Sequence, residues 1–213
     1  MTHPQPRLPA EDRRRQLLET ALDFFSRKGF EGTTTKEIAA AAGVTEAIIF
    51  RHFPTKQALY NAVLGYHHES GEFDDVVGRW KTFMDANDDI GLCRSIIELV
   101  ISKYRSDARA QRALLFAALE GHEAGLEQHR ERSLPVFELL CEYVARRQSE
   151  GAIRPGPPGA VVGSIVGAAG HYAMMTQFFG FRPPVTDAEV ASEFLEILLH
   201  GILPAASPEK AIA

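Results

Sequence analysis

Apolar residues recur along almost the whole chain at the spacing of an amphipathic helix, and no stretch alternates with period two for long enough to make a strand. Leu18, Leu22 and Phe25 share one face of a first helix over about 12–28, and Gly29 supplies its stop. A second helix begins at Thr34, where Thr34 and Glu37 have the spacing of a capping box, and runs through Ile38, Ala39 and Ala42 to Gly43. A short third helix is expected from Thr45 to about Phe53. Pro54, Thr55 and Lys56 close it and open a fourth that carries Leu59, Val63 and Tyr66. Beyond residue 75 the helices lengthen, near 76–85, 90–105, 108–119, 123–150, 158–179 and 187–203. Breaks fall at Asp88, at Ser106, at Gly121, in the proline-bearing stretch 151–158 and over 181–186. Pro135 lies inside a long helical pattern and predicts a kink or a split there. The chain reads as all-α, with about nine helices.

Composition narrows the class. The chain has 213 residues, 45% of them apolar and 24% charged, which supports a sizeable packed core and argues against disorder. No apolar run approaches the length of a membrane span, and prolines at 4, 6 and 9 break any signal-like run at the N-terminus. A cytoplasmic protein without membrane association is expected. Cys93 and Cys141 form no Cys-x-x-Cys pair, so neither a disulfide scaffold nor a zinc module is indicated. The net charge of −5 conceals a split. Residues 1–60 carry nine basic and seven acidic side chains, and the acidic excess lies beyond them. Opposite signs in the two parts suggest two roles.

Residues 34–52 combine a short helix, a tight turn at Gly43 and Val44, and a second short helix. That is the layout of a helix-turn-helix, whose second helix enters the DNA major groove. Hydroxyls and free N–H groups at Thr34 and Thr45 suit phosphate oxygens, and Ala39, Gly43 and Val44 are small where two helices cross. An ordinary helical hairpin has the same outline, so this pattern alone leaves DNA binding open.

The run from Gly32 through Thr45, followed by Ile49-Phe50-Arg51-His52-Phe53-Pro54-Thr55-Lys56-Gln57-Ala58-Leu59, resembles the N-terminal domain of TetR/AcrR-type bacterial transcription regulators. Leu17 and Leu18 through Phe24 and Phe25, then Gly29 and Phe30, resemble that family's first helix, and the likeness covers about residues 12–64. It implies a helix-turn-helix domain over 11–56, with a fourth helix from Lys56 joining it to a ligand-binding and dimerisation domain over 57–204. Flexible tails are expected over 1–10 and 205–213. It also implies contacts to double-stranded operator DNA from Thr34, Thr35 and Lys36, from Thr45, Glu46, Ala47, Ile48, Phe50, Arg51 and His52, and from Lys56. Arg51, His52, Thr45 and Lys56 rank first among these. Three positions depart from the family pattern. Glu46 stands where a basic or small polar residue is common, and a carboxylate there accepts from a cytosine amino group rather than meeting phosphate. Ala47 replaces a frequent glycine, bringing a methyl that can touch thymine. Phe50 replaces a frequent tyrosine and has no hydroxyl for phosphate, with a ring packed under the third helix as the plainer reading.

In the later helices, Gly163, Gly167 and Gly170 recur at spacings of four and three, which permits close approach either within the monomer or between copies. The set Val190, Phe194, Leu195, Ile197, Leu198 and Ile202 is wider than one core-facing stripe. All of these but Leu195, together with Val161, Ile165 and Gly167, form the expected homodimer interface. Trp80, Phe83, Met84, Tyr104, Phe116, His122, Phe137, His171, Met175 and Phe178 supply large, soft side chains suited either to plain core or to a chamber for a hydrophobic or aromatic effector. The implied function is a ligand-responsive repressor, released from a pseudo-palindromic operator by such a small molecule. The adjacent His67 and His68 point to different sides of a helix and do not chelate together. No catalytic group, metal site or cofactor is expected, since no phosphate loop, nucleophile elbow or His-Glu-x-x-His occurs.

Overall fold

The computed structural model describes residues 8–66 and 72–200. Among these residues the chain forms ten α-helices and no strand. They are α1 (Ala10–Lys28), α2 (Thr35–Ala41), α3 (Glu46–His52), α4 (Lys56–Tyr66), α5 (Glu72–Asp85), α6 (Asp89–Ser106), α7 (Arg109–Glu120), α8 (Glu123–Ser149), α9 (Pro158–Phe178) and α10 (Asp187–His200). The fold is all-α, as the apolar period implies. Two details differ from the sequence reading. Helix α5 starts at Glu72, ahead of its first apolar pair, and α8 runs unbroken through Pro135. A proline removes one backbone donor, and the rest of a 27-residue helix carries the element past it. Of the expected tails, residues 1–7 and 205–213 lie outside the described residues, as do His67, His68 and Ile202, whereas Ala10 already belongs to α1.

The chain divides into two compact units, the first comprising residues up to Gly78 with Asp107–Leu139 and the second Arg79–Ser106 with residues from Leu140 onward. The helix-turn-helix thus shares its core with α4, α7 and the start of α8, a grouping wider than the 11–56 segment expected. The physical reason is burial. Leu17, Leu22 and Phe25 of α1, Ile38 of α2, Ile49 of α3, and Leu59 and Tyr60 of α4 are all fully buried together with Ala113 and Ala117 of α7. Each large apolar side chain so placed contributes about 1.5–3 kcal/mol relative to exposure. The two alanines let α7 lie close against α1. Gly29 ends α1 at φ 69°, a backbone conformation that calls for glycine, and a Cβ there would stand 2.3 Å from Oε1 of Glu120 and push that carboxylate aside.

Polar links hold α7 in this unit. The Tyr60 hydroxyl donates to the Ala113 carbonyl at 3.2 Å. Arg109 donates to Glu19 at 3.1 Å and to Asp107 at 2.7 Å. The Glu120 carboxylate accepts the backbone N–H of Phe30 at 2.9 Å and of Glu31 at 3.4 Å.

In the second unit α6 packs against α9 and α10. Leu92, Ile96, Ile97 and Ile101 meet Val162, Ile165, Ala169, Ala191 and Leu195 in its core. Asp89 accepts from the Tyr143 hydroxyl and from Arg147 Nη2 at 2.8 Å. Burial alone would raise the Asp89 pKa, but the Arg147 and Tyr143 bonds outweigh it and hold the carboxyl below the ordinary aspartate value. Arg105 grips Asp187 with two bonds of 2.6 Å, and the Tyr172 hydroxyl adds a third at 2.9 Å. Trp80 is buried, its indole N–H donating to Ser95 Oγ at 3.2 Å. No helix among the described residues is long and apolar enough to cross a membrane.

Candidate nucleic-acid interface

Local chemistry sets the start of α2. The Glu37 N–H donates to Thr34 Oγ1 at 3.2 Å and the Thr34 N–H donates to Glu37 Oε2 at 3.0 Å, a complete capping box. Lys28 Nζ also reaches Glu37 at 2.6 Å. Bonds from Lys28 and then Thr34 pull the Glu37 carboxyl down to about 2. Helix α2 ends in a turn closed by the Val44 N–H on the Ala39 carbonyl at 2.9 Å. Gly43 sits there at φ 66° with open space around it, so its backbone conformation rather than crowding calls for glycine.

Helix α3 is seated by Ile49, which is fully buried, and by Phe53 just beyond its end. This fixes its rotation. Thr45, Ala47, Phe50 and Arg51 are exposed, while Glu46, Ile48 and His52 are half-buried. Thr45 makes no side-chain bond to cap α3. The Phe50 ring is 43% exposed, so it is not packed under the helix. Thr35 Oγ1 donates to Glu46 Oε1 at 2.6 Å, tying the first residue of α2 to the first residue of α3. Thr34 and Lys36 are exposed and Thr35 is half-buried. Hydroxyls, a lysine and an arginine are therefore exposed at α2 and α3, the kinds of group that dock on a phosphate backbone while presenting side chains to base edges.

His52 and Lys56 have more complex settings. His52 Nε2 is buried without a hydrogen-bond partner among the described residues. Burial, then the charges of Arg51, Arg13 and Arg14, holds its imidazole below the usual histidine pKa. Arg14 lies 5.4 Å from the Phe53 ring centroid. The first turns of α1 thus add arginines beside the end of α3, a placement the sequence signals only through the run Arg13-Arg14-Arg15. Lys56 opens α4 with its ammonium 4.1 Å from the Phe30 ring centroid, so it is only partly exposed.

The other expected sites are less concentrated. Among the effector-pocket set, Phe116, His122 and Phe137 lie in the first unit and the other seven in the second. His122 packs edge-on to Phe30 at 4.4 Å and near Tyr60 at 5.1 Å, inside the core that supports the helix-turn-helix. Phe137 is 39% exposed and His171 is exposed. Trp80 and Met84 are buried, Phe83 and Met175 are half-buried, and Tyr104 meets Phe178 at 5.8 Å between ring centroids. Burial pushes the Tyr104 phenol above its usual pKa.

Of the interface set, Ile165 and Val190 belong to the core of their own unit, whereas Gly167 and Ile197 are exposed and Val161, Phe194 and Leu198 are half-buried. Val166 and Leu199, absent from the sequence-based set, are 38% and 39% exposed. A Cβ at Gly163 or Gly167 would meet nothing within 4 Å, so packing inside the chain does not require these glycines.

The buried seat of α3, the Gly43 turn and the exposed hydroxyl and cationic groups define a helix-turn-helix protein. Residues 17–63 match the family model for bacterial regulatory proteins of the tetR family. The transcriptional regulator YvkB of Bacillus subtilis strain 168 is 47% identical over 53 residues, spanning 25% of this chain and 28% of that relative. The HTH-type transcriptional regulator RutR of Escherichia coli K12 is 26% identical over 161 residues, spanning 76% and 74% of the two chains. The crystal structure of AibR in complex with isovaleryl coenzyme A and operator DNA has the same fold, with a TM-score of 0.65, 23% identity and coverage of 87% and 97%. Residues 17–63 thus carry a match to the tetR family of bacterial regulatory proteins, and the relatives named here are transcriptional regulators.

Proposed function

We propose that the chain is a cytoplasmic, homodimeric repressor that holds a pseudo-palindromic operator through α2, α3 and the start of α4, and leaves it when a hydrophobic or aromatic small molecule binds the second unit. The observation that carries this reading is that Thr34 and Lys36 at the start of α2, Thr45 at the start of α3, and Ala47 and Arg51 along it, are all exposed while the Thr35–Glu46 bond ties the two helix starts together. Two such surfaces related by a two-fold axis would meet half-sites about 34–36 Å apart. The open faces of Gly163 and Gly167, with Val166, Ile197 and Leu199 exposed, support a mate packed on α9 and α10. Met175, Tyr104 and Phe178 supply adaptable lining for an effector. AibR, crystallised with both an acyl-CoA and operator DNA, supports the pairing of the two functions in this fold.

Release needs an effector that prefers a conformation with mis-spaced recognition helices. A coupling of about 1–3 kcal/mol lowers operator affinity about 5- to 150-fold. The test is an anisotropy titration at several salt concentrations, comparing duplex from the region flanking the gene, duplexes selected from a random pool, and scrambled DNA. Tight, salt-sensitive binding to one sequence supports the reading. Equal, weak binding to every duplex overturns it.

A further inference from the structure

We infer that Ala47 and Phe50 form an apolar reading edge for the 5-methyl group of thymine in the major groove. The inference rests on the DNA-binding reading above and specifies what α3 reads. Ala47 and Phe50 stand three residues apart and so share one side of the helix. Both are exposed, and the full burial of Ile49 prevents α3 from rolling Phe50 inward. Among the described residues no ring or cation contact engages the Phe50 ring, so the fold itself gains little from an aromatic there. The strip is bordered by groups that select its occupant. Arg51 follows Phe50 directly and is exposed. A cation next to an apolar strip complements phosphate around a base edge rather than an apolar face of another protein.

Glu46, one turn before Phe50, sharpens the choice. Its carboxylate accepts from Thr35 Oγ1 at 2.6 Å beside the start of α3, and a carboxylate there repels phosphate. Bases rather than backbone therefore face this side of α3. A phenyl ring without a hydroxyl has no hydrogen bond to offer them. The one apolar group on the major-groove edges of the four bases is the thymine methyl.

The test uses a duplex that the full chain selects from a random pool, remade with each thymine replaced in turn by deoxyuridine, which lacks only that methyl. One or two thymines per half-site are expected to weaken wild-type binding about fourfold each when demethylated. Phe50→Ala should bind the thymine duplex more weakly and lose the response to deoxyuridine. Phe50→Tyr keeps the ring and should keep the response, which provides a second variant should the alanine form fold poorly. Wild-type binding indifferent to every replacement overturns the inference while leaving specific DNA binding intact. So does a penalty that persists unchanged in Phe50→Ala. A wild-type chain that selects no duplex overturns the DNA-binding reading itself, and this inference with it.

Discussion

Arg51 is exposed at the end of α3, whereas the Lys56 ammonium sits 4.1 Å from the Phe30 ring centroid. Removing each should therefore have different consequences. Arg51→Ala is expected to weaken binding to operator duplex, lower the slope of log affinity against log salt by about one, and leave the melting midpoint unchanged. Lys56→Ala should weaken DNA binding and also cost about 0.5–1 kcal/mol of stability, read from urea unfolding, because it removes a cation from an aromatic face. A Lys56→Ala protein with unaltered stability would show that the ring contact does nothing for the fold. At this scale the sequence revealed contacts within one turn and little else. The Thr34–Glu37 capping box is visible in its spacing because a helix start repeats the same local geometry everywhere. The Thr35–Glu46 bond is not, because its two residues sit on different helices and meet only when Gly43 turns the chain. The placement of Arg13 and Arg14 beside His52 likewise depends on which face of α1 is buried.

Helix α7 holds the loop between α1 and α2 through one carboxylate. Glu120 accepts the Phe30 N–H at 2.9 Å, across 90 positions of sequence. Its removal strands a backbone donor next to a core, which costs about 1–3 kcal/mol. Glu120→Ala is expected to lower the free energy of unfolding by that amount and to speed hydrogen exchange at Phe30 and Glu31, with Glu120→Gln intermediate. Unchanged exchange at Phe30 would show that another group satisfies it. In the second unit, Asp187 joins α10 to α6. The Arg105 bonds hold its carboxyl below the ordinary aspartate value, with the Tyr172 bond adding to them. A depressed carboxyl stabilises the fold above its unfolded pKa of about 3.9 and loses that contribution as pH falls through its folded value. Asp187→Asn should therefore destabilise the chain near neutrality, by about 1 kcal/mol or less because the pair is one-third exposed, and the difference from wild type should shrink below about pH 4. Urea midpoints at the two acidities measure it. Helix positions themselves were legible, because apolar period and breakers act locally. The early start of α5 was not, since a lone Phe73 between Glu72 and the aspartates at 74 and 75 makes no apolar period.

For the molecule as a whole, the order of helices and the helix-turn-helix followed from pattern and resemblance, while the grouping into units did not. Nothing local to Ala113 and Ala117 marks them as belonging with α1 rather than with their neighbours in sequence; long-range burial decides it. The same holds for Ile165 and Val190, whose apolar character suits a core and an interface equally. If α9 and α10 meet a second copy, Gly167→Leu should leave the monomer fold intact, because nothing lies within 4 Å of the added Cβ, yet abolish dimer and operator binding together. Sedimentation at fixed concentration checks the first effect and anisotropy the second. A dimer that survives the substitution would move the interface elsewhere. Trp80, finally, is the chain's one tryptophan, buried in the second unit against Ser95. Intrinsic indole fluorescence is thus a built-in spectroscopic channel for that unit alone. Quenching or a shift of emission reports what happens around Trp80 without an added label. Loosening of the Phe25, Phe30 and Tyr60 cluster in the first unit proceeds unseen at wavelengths that excite only indole.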